Sequence, residues 1–291
     1  MQVHVCGTRG SSPACGIDYV RYGGHSSCIG LAHDGQLPSL VLDGGTGLRV
    51  LDRAFGDEPF RGSLLLSHLH WDHVHGLPFF KAGARGGART DVLMPTGGED
   101  PLALMARSMS PPHFPVGPQD LGPGWTYQSL TVGACELEGF DVLVREIPHK
   151  GGLTYGFRVG DSSASIAYLS DHAPFVLGPG PDGNGERHAA ALELADGVDL
   201  LIHDAQYLAA EFPEVAYLGH SAIEYAIALG EEAGARAVLL FHHAPERTDP
   251  AIDNIVARFA GAPIPVSAAA EDTVLSLPAV AAPAAAAAVG R

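Results

Sequence analysis

Short runs of Val, Leu and Ile recur along the chain, each closed by a Gly-rich or polar turn. "VHVCG", "SLVLD", "GSLLLSH" and "DVLVREIPH" fall in the first half, and "TYGFRV", "SIAYLSD", "DLLIHDA" and "AVLLFHH" follow. Each is short and bounded by turn residues, so each predicts a strand. Between them the apolar period lengthens to that of a helix, in "GLRVLDRAF", "HAAALELADG" and "SAIEYAIALGEEAG". The last of these puts Ile223, Ala226, Ile227 and Gly230 on one face. Ser221 and Glu224 stand at capping-box spacing where it begins, and Gly234 marks its end. Strands mixed with helices along the whole length predict layered α/β architecture.

Two segments break that rhythm. Residues 81–130 are rich in Gly and Pro and contain "MSPPHFPVGP", which fits neither a central strand nor a helix interior. The segment predicts a long surface excursion resembling a lid. The Ala-rich stretch over 278–291 predicts a disordered tail, which leaves residues 1–277 as one folded domain. No apolar run reaches the length of a membrane span, and the opening "MQVHVCGTRG" has no leader pattern, so the expectation is a cytoplasmic protein.

Composition narrows the chemistry. The 291 residues carry 17 Lys and Arg against 33 Asp and Glu, a formal charge of -16. Affinity for a polyanion rests on cations that neutralise phosphates, so this balance argues against RNA as a partner. The four cysteines are scattered without a C-x-x-C pair, which predicts reduced thiols and excludes a zinc ribbon. The outlier is histidine, with 15 residues. Neutral imidazole is the commonest metal ligand in proteins.

The histidines and aspartates are also not scattered. "LLLSHLHWDH" ends a predicted strand with His68, His70, Asp72 and His73. "REIPH" ends another with His149, "AYLSD" a third with Asp171, and "VLLFHH" a fourth with His242 and His243. Strand ends along one edge of a layered α/β fold are where sites assemble. One such residue would read as structural; the whole set points to metal.

This series, H-x-H-x-D-H followed by His, Asp and His after successive strands, resembles the metallo-β-lactamase superfamily over nearly the whole chain. The resemblance implies a four-layer αββα sandwich with two metals at one edge of the two sheets. Carried over by position, His68, His70 and His149 hold the first metal. Asp72, His73 and His242 hold the second, and Asp171 bridges both. His242 rather than His243 matches the family position. Imidazole and carboxylate without thiolate suit two Zn²⁺, with Mn²⁺ or Fe²⁺ as alternatives. A pair of metals about 3.5–4 Å apart clamps attacking and leaving oxygens and activates water near neutral pH. Such a pocket also lets an acidic protein bind one phosphate.

"GTRGSSP", "YGGHSSC", "LDGGTGL", "LIHDAQ" and "GHSAIEYA" resemble the ribonuclease Z and phosphodiesterase branch. There the last two segments supply an acidic residue that orients a proton-donating His, here Asp204 and His220. Asp72, His220 and Asp204 are thus the catalytic candidates, with the acid delivered to an alkoxide leaving group. Asp204 stands where that branch carries Glu. Its tRNA-processing members also carry a long Gly/Pro-rich arm between the third ligand His and the bridging Asp. Here His149 and Asp171 are separated by a segment that reads as a hairpin, with no room for such an arm.

What the resemblance then implies is a small-substrate phosphodiesterase, with a cyclic nucleotide as substrate and a homodimer as the assembly. The alternatives are an RNA 3′-processing nuclease and a hydrolase of a lactone, thioester or β-lactam. Within "MSPPHFPV", His113 and Phe114 are expected to contact the base, and Lys150 and Ser221, beside a ligand and the acid, to contact substrate. Asp43 is expected to buttress a ligand His.

Overall fold

The computed structural model describes residues 1–278; the expected disorder of the tail falls on 279–291, outside the described residues. Fourteen strands form two seven-stranded sheets. The first contains β1 (Gln2–Gly7), β2 (Cys28–Ala32), β3 (Leu40–Leu42), β4 (Arg61–Leu65), β5 (Arg89–Met94) and β6 (Trp125–Ser129), with β14 (Thr273–Ser276) outside β1. The second runs from β7 (Gly133–Leu137) through β8 (Phe140–Glu146), β9 (Tyr155–Gly160), β10 (Ser165–Leu169), β11 (Leu200–Asp204) and β12 (Val238–Phe241) to β13 (Val266–Ala268). In each sheet one part is antiparallel, and β3 to β6 and β10 to β13 are parallel.

The helices are α1 (Leu48–Phe55), α2 (Trp71–Val74), α3 (Lys81–Ala84), α4 (Pro101–Ala106), α5 (Ala189–Ala195), α6 (Phe212–Val215), α7 (Ile223–Glu232) and α8 (Asp249–Arg258). Alternation along the strands explains the layering, because a strand sends successive side chains to opposite faces. In β11, Leu200 and Ile202 enter the core between the sheets, whereas Leu201 packs outward against the helices. In β12, Leu239 and Phe241 face inward and Val238 and Leu240 outward. The middle core joins Val3, Val5, Leu42 and Leu65 of one sheet to Phe157, Tyr168 and Phe241 of the other. Two outer cores lie under α1 and under α5, α7 and α8. The result is the four-layer αββα sandwich. Among the described residues no helix is long and apolar enough to cross a membrane.

Two expectations need correction. The excursion over 81–130 is shorter than expected, because β5 and β6 within it extend the first sheet. The longest part outside the sheet is 95–124, which includes α4; 81–88, with α3, is a shorter one. The capping box at α7 is not formed. Ala222 is the N-cap and supplies no side-chain bond. The Ser221 hydroxyl instead donates to the His172 carbonyl at 2.6 Å, and Glu224 accepts from the Ala209 amide at 2.7 Å. Both polar side chains are drawn to loop groups that burial would otherwise leave unpaired. The C-terminus of α7 does close as expected. Gly234 adopts φ 68°, with bonds from its own amide to Glu231 and from Ala235 to Gly230, the pattern of a Schellman motif.

Candidate metal centre

The expected ligands gather where strands of both sheets end. The loop after β4 and the short α2 bring His68, His70, Asp72 and His73; the ends of β8, β10 and β12 bring His149, Asp171 and His242. Ligand atoms of His68, His70, His149 and Asp171 all lie within 4.8 Å of one another, and so do those of Asp72, His73 and His242. Asp171 stands between the two groups with one oxygen for each. Its Oδ2 lies 3.8 Å from His68 Nε2 and 3.4 Å from His149 Nε2. Its Oδ1 lies 3.1 Å from both His73 Nε2 and His242 Nε2. Asp72 Oδ2 is 3.1 Å from the same two nitrogens.

Surrounding hydrogen bonds fix which imidazole nitrogen is bare. Asp43 Oδ2 accepts from His73 Nδ1 at 2.8 Å, from Tyr168 Oη at 2.8 Å and from Ser67 Oγ at 2.9 Å. Ser67 Oγ, having given its proton to Asp43, can accept from His68 Nδ1 at 3.0 Å. His149 Nδ1 donates to the Gly219 carbonyl at 2.6 Å. Each of these partners leaves Nε2 as the lone pair that faces the cage. Gly219 has φ 96°, and a Cβ there would stand 2.6 Å from Lys150 Cβ, so only glycine permits this approach. His68 Nε2, His73 Nε2 and Asp171 Oδ1 are buried with no hydrogen-bond partner. Buried polar atoms are rarely left so, and a cation between them would satisfy all three. The donor set therefore fits divalent metal.

Electrostatics divide the histidines of the cage: burial would lower His73, but Asp72, Asp171 and Asp43 outweigh it and hold that imidazole well above its ordinary value. Burial pushes His68, His70 and His149 below the ordinary imidazole value, which keeps them neutral and ready to ligate. Burial alone would raise Asp171, but the surrounding histidines, His242 and His73 foremost, outweigh it and hold the carboxyl well below its ordinary value. His243 turns away: it is pushed down to about 3, chiefly by burial, and its Nε2 donates to the Ala269 carbonyl.

Next to the cage lies the pair expected for proton transfer. His220 Nδ1 is 3.0 Å from Asp204 Oδ2. Asp204 is fully buried and also accepts from the amides of His172, Ser221 and Gln206. Burial lowers the His220 pKa, yet Asp204, with Asp171 and Asp72 behind it, reverses the sign and holds it above the ordinary value.

The cage and this pair open into one cleft of about 580 Å³. Besides His70, Asp72, His149, Asp171 and His220, its lining is Ser11, Leu69, Trp71, Lys150, Gly151, Tyr207 and Leu218. Lys150 is there as expected, its ammonium 5.4 Å from the Tyr217 ring. Ser221 is not: it is buried, and its hydroxyl is committed to His172. His113 and Phe114 line a different cavity, with Phe79 edge-on to Phe114. Residues not foreseen for the cleft are Trp71, Tyr207, Leu218 and Ser11, whose amide donates to Asp72 Oδ2 at 2.8 Å. Trp71 lies inside the H-x-H-x-D-H motif, where a variable position gives no sign of which way its side chain faces.

A family model described as a β-lactamase superfamily domain matches residues 41–243. A ribonuclease Z of Salinibacter ruber is 26% identical over 78% of this chain and 82% of its own length. Among solved structures, a diphosphatase from the PhnP family superposes with a TM-score of 0.69 at 18% identity, covering 94% of this chain and 97% of the other. The short form of human tRNase Z gives 0.65 at 19% identity, covering 96% and 100%.

Proposed function

The chain belongs to the β-lactamase superfamily, and from that premise we propose that it is a metal-dependent phosphodiesterase that opens a small cyclic nucleotide. The observation that carries this reading is the Asp204–His220 pair beside a cluster of His and Asp side chains able to hold metal. A departing ribose alkoxide needs a proton, and this pair is placed to give one. Hydrolysis of a lactone, thioester or β-lactam would use the same cage and leave that pair without an evident task.

In this reading His68, His70 and His149 would hold one metal and Asp72, His73 and His242 the other, with Asp171 as a ligand available to both. Zn²⁺ suits the donors, with Mn²⁺ and Fe²⁺ as alternatives. When bound, such a pair supplies Lewis-acid polarisation of the phosphate and activation of water. The chain does the rest. Asp43, Ser67 and the Gly219 carbonyl hold the imidazoles in the ligating tautomer. The Ser11 amide steadies Asp72. Asp204 engages Nδ1 of His220 and leaves Nε2 free to protonate the leaving oxygen. Among the described residues Lys150 is the one Lys or Arg that lines the cleft. The homodimer belongs to the same proposal and is read from the mass in solution.

The test is product analysis of Zn²⁺- or Mn²⁺-loaded protein with 3′,5′- and 2′,3′-cyclic nucleotides. Linear monophosphates are expected, and His68→Ala should abolish them. No turnover of any cyclic nucleotide would overturn the reading. A second reading, RNA 3′ processing, is favoured by the ribonuclease Z relative. Against it stand the charge of -16 and the four residues, 161–164, that join β9 to β10 where an RNA-gripping arm would emerge. Cleavage of structured RNA that falls steeply with salt would favour that alternative.

A further inference from the structure

Trp71 stands between His70 and Asp72, lines the cleft, and is 68% exposed. A single open aromatic residue is ordinary on a protein surface; what sets Trp71 apart is its place in the wall of the cleft. The ring is also held. It stacks on His75, four residues on, with centroids 5.5 Å apart and planes 18° apart. His75 in turn lines the neighbouring cavity of about 250 Å³, so the pair forms the partition between the two spaces. One face of the indole is backed by imidazole, and the ring contributes to the lining of the cleft.

Leu69 and Leu218 add apolar surface to that wall, and among the described residues Lys150 is the only Lys or Arg in the lining. A group that carried several further negative charges would find no counter-ions there. An uncharged flat ring would find a fixed aromatic surface, which is the way proteins take nucleobases without reading their edges. We propose that Trp71 is a specificity-determining stacking platform for a heteroaromatic base, so that the substrate is a base-bearing phosphate ester and not a bare sugar phosphate. The identity of the ester rests on the phosphodiesterase reading; the base contact does not.

The protein has two tryptophans, Trp71 and the buried Trp125, so indole fluorescence reports on the platform directly. The metal-loaded full-length chain is titrated with adenosine 5′-monophosphate and, separately, with ribose 5-phosphate, with N-acetyltryptophanamide correcting for absorbance. Saturable quenching is expected with the nucleotide and not with the sugar phosphate. By calorimetry, Trp71→Ala should weaken nucleotide binding by about tenfold, within the range known for one stacked base, and Trp71→Phe should recover most of it. Equal affinity for the two ligands, or an alanine variant that binds the nucleotide as tightly as the parent, would overturn the proposal. Should the alanine variant not fold, the two titrations of the parent chain still decide. Quenching by nucleotide without hydrolysis of any diester would sink the phosphodiesterase reading and leave the platform standing. Hydrolysis with the same KM for a cyclic nucleotide and a base-free cyclic ribose phosphate would do the reverse.

Discussion

At the scale of single residues, the Asp204–His220 pair separates two kinds of loss. His220 Nδ1 is bound to a carboxylate that three backbone amides also hold, so in the proposed reading truncating His220 should remove the proton donor and leave the seven expected ligands in place. His220→Ala is expected to slow turnover by about 10²–10⁴ with metal content unchanged by elemental analysis; full activity would remove the acid assignment. A second residue concerns stability. Glu271 is pushed up to about 7 from 4.5, first by burial and then by Asp272, against Arg9, Arg53 and the His25 amide that it accepts. A carboxyl whose folded pKa lies above its unfolded one binds more protons when folded, so stability falls as pH rises from about 4.5 to about 7 and stays lower beyond. Glu271→Gln should therefore raise stability at pH 8 by about 1–2 kcal/mol, after discounting for partial exposure, and the gain should vanish near pH 4.5 in urea titrations. The ligand histidines could be read in the sequence because each follows an apolar run whose end must lie at a sheet edge. Ser221, His113 and Phe114 could not be placed, because the direction of a loop side chain depends on what it packs against. Ser221 is claimed by His172, and Phe114 by Phe79.

At the scale of elements, legibility follows position in the sheet. The core strands β10, β11 and β12 are buried and announce themselves as unbroken apolar runs. The outer strands β6, β13 and β14 are half exposed, and segments such as "WTYQS" and "TVLS" carry too few apolar residues to stand out from the turns. β5, "RTDVLM", was hidden in the same way inside the Gly/Pro-rich stretch, which is why the excursion looked longer than it is. Helix α7 was legible from its face, and Gly230 on that face has a packing reason. A Cβ there would come within 2.6 Å of Val238 Cγ2 on β12, a stiff core side chain. Gly230→Ala gains up to ~1 kcal/mol of helix propensity but overpacks the interface at a cost of about 1–3 kcal/mol. A net loss of about 1–2 kcal/mol is expected, read as a lower urea midpoint at unchanged m-value; a stabilised variant would mean that the helix can move off the sheet without penalty.

At the scale of the whole molecule, the cage is where the two sheets are tied together. His68, His70, Asp72 and His73 come from the first sheet, whereas His149, Asp171 and His242 come from the second. Away from the cage the sheets meet through the apolar middle core and through polar ties such as Ser63 to Glu138 and Tyr168 to Asp43, whereas Asp171 reaches ligand groups from both sheets, with 3.1 Å to His73 Nε2 of one and 3.1 Å to His242 Nε2 of the other. A cation bound between them stabilises only the folded arrangement, because the unfolded chain does not bring these atoms together. Mass action then adds about 2.7 kcal/mol when free metal is a hundredfold above Kd. Exhaustive chelation is therefore expected to lower Tm, and graded return of Zn²⁺ or Mn²⁺ to raise it with no plateau until well above the dissociation constant. Magnesium alone should do less, since imidazole-rich sites favour the borderline metals. In Asp171→Asn the link between the sheets is weakened at the residue that both groups share, so the metal-dependent rise in Tm should shrink far more than the Tm of the chelated protein. Equal metal-dependent rises in parent and variant would show that the ions, wherever they bind, do not join the two halves of the sandwich.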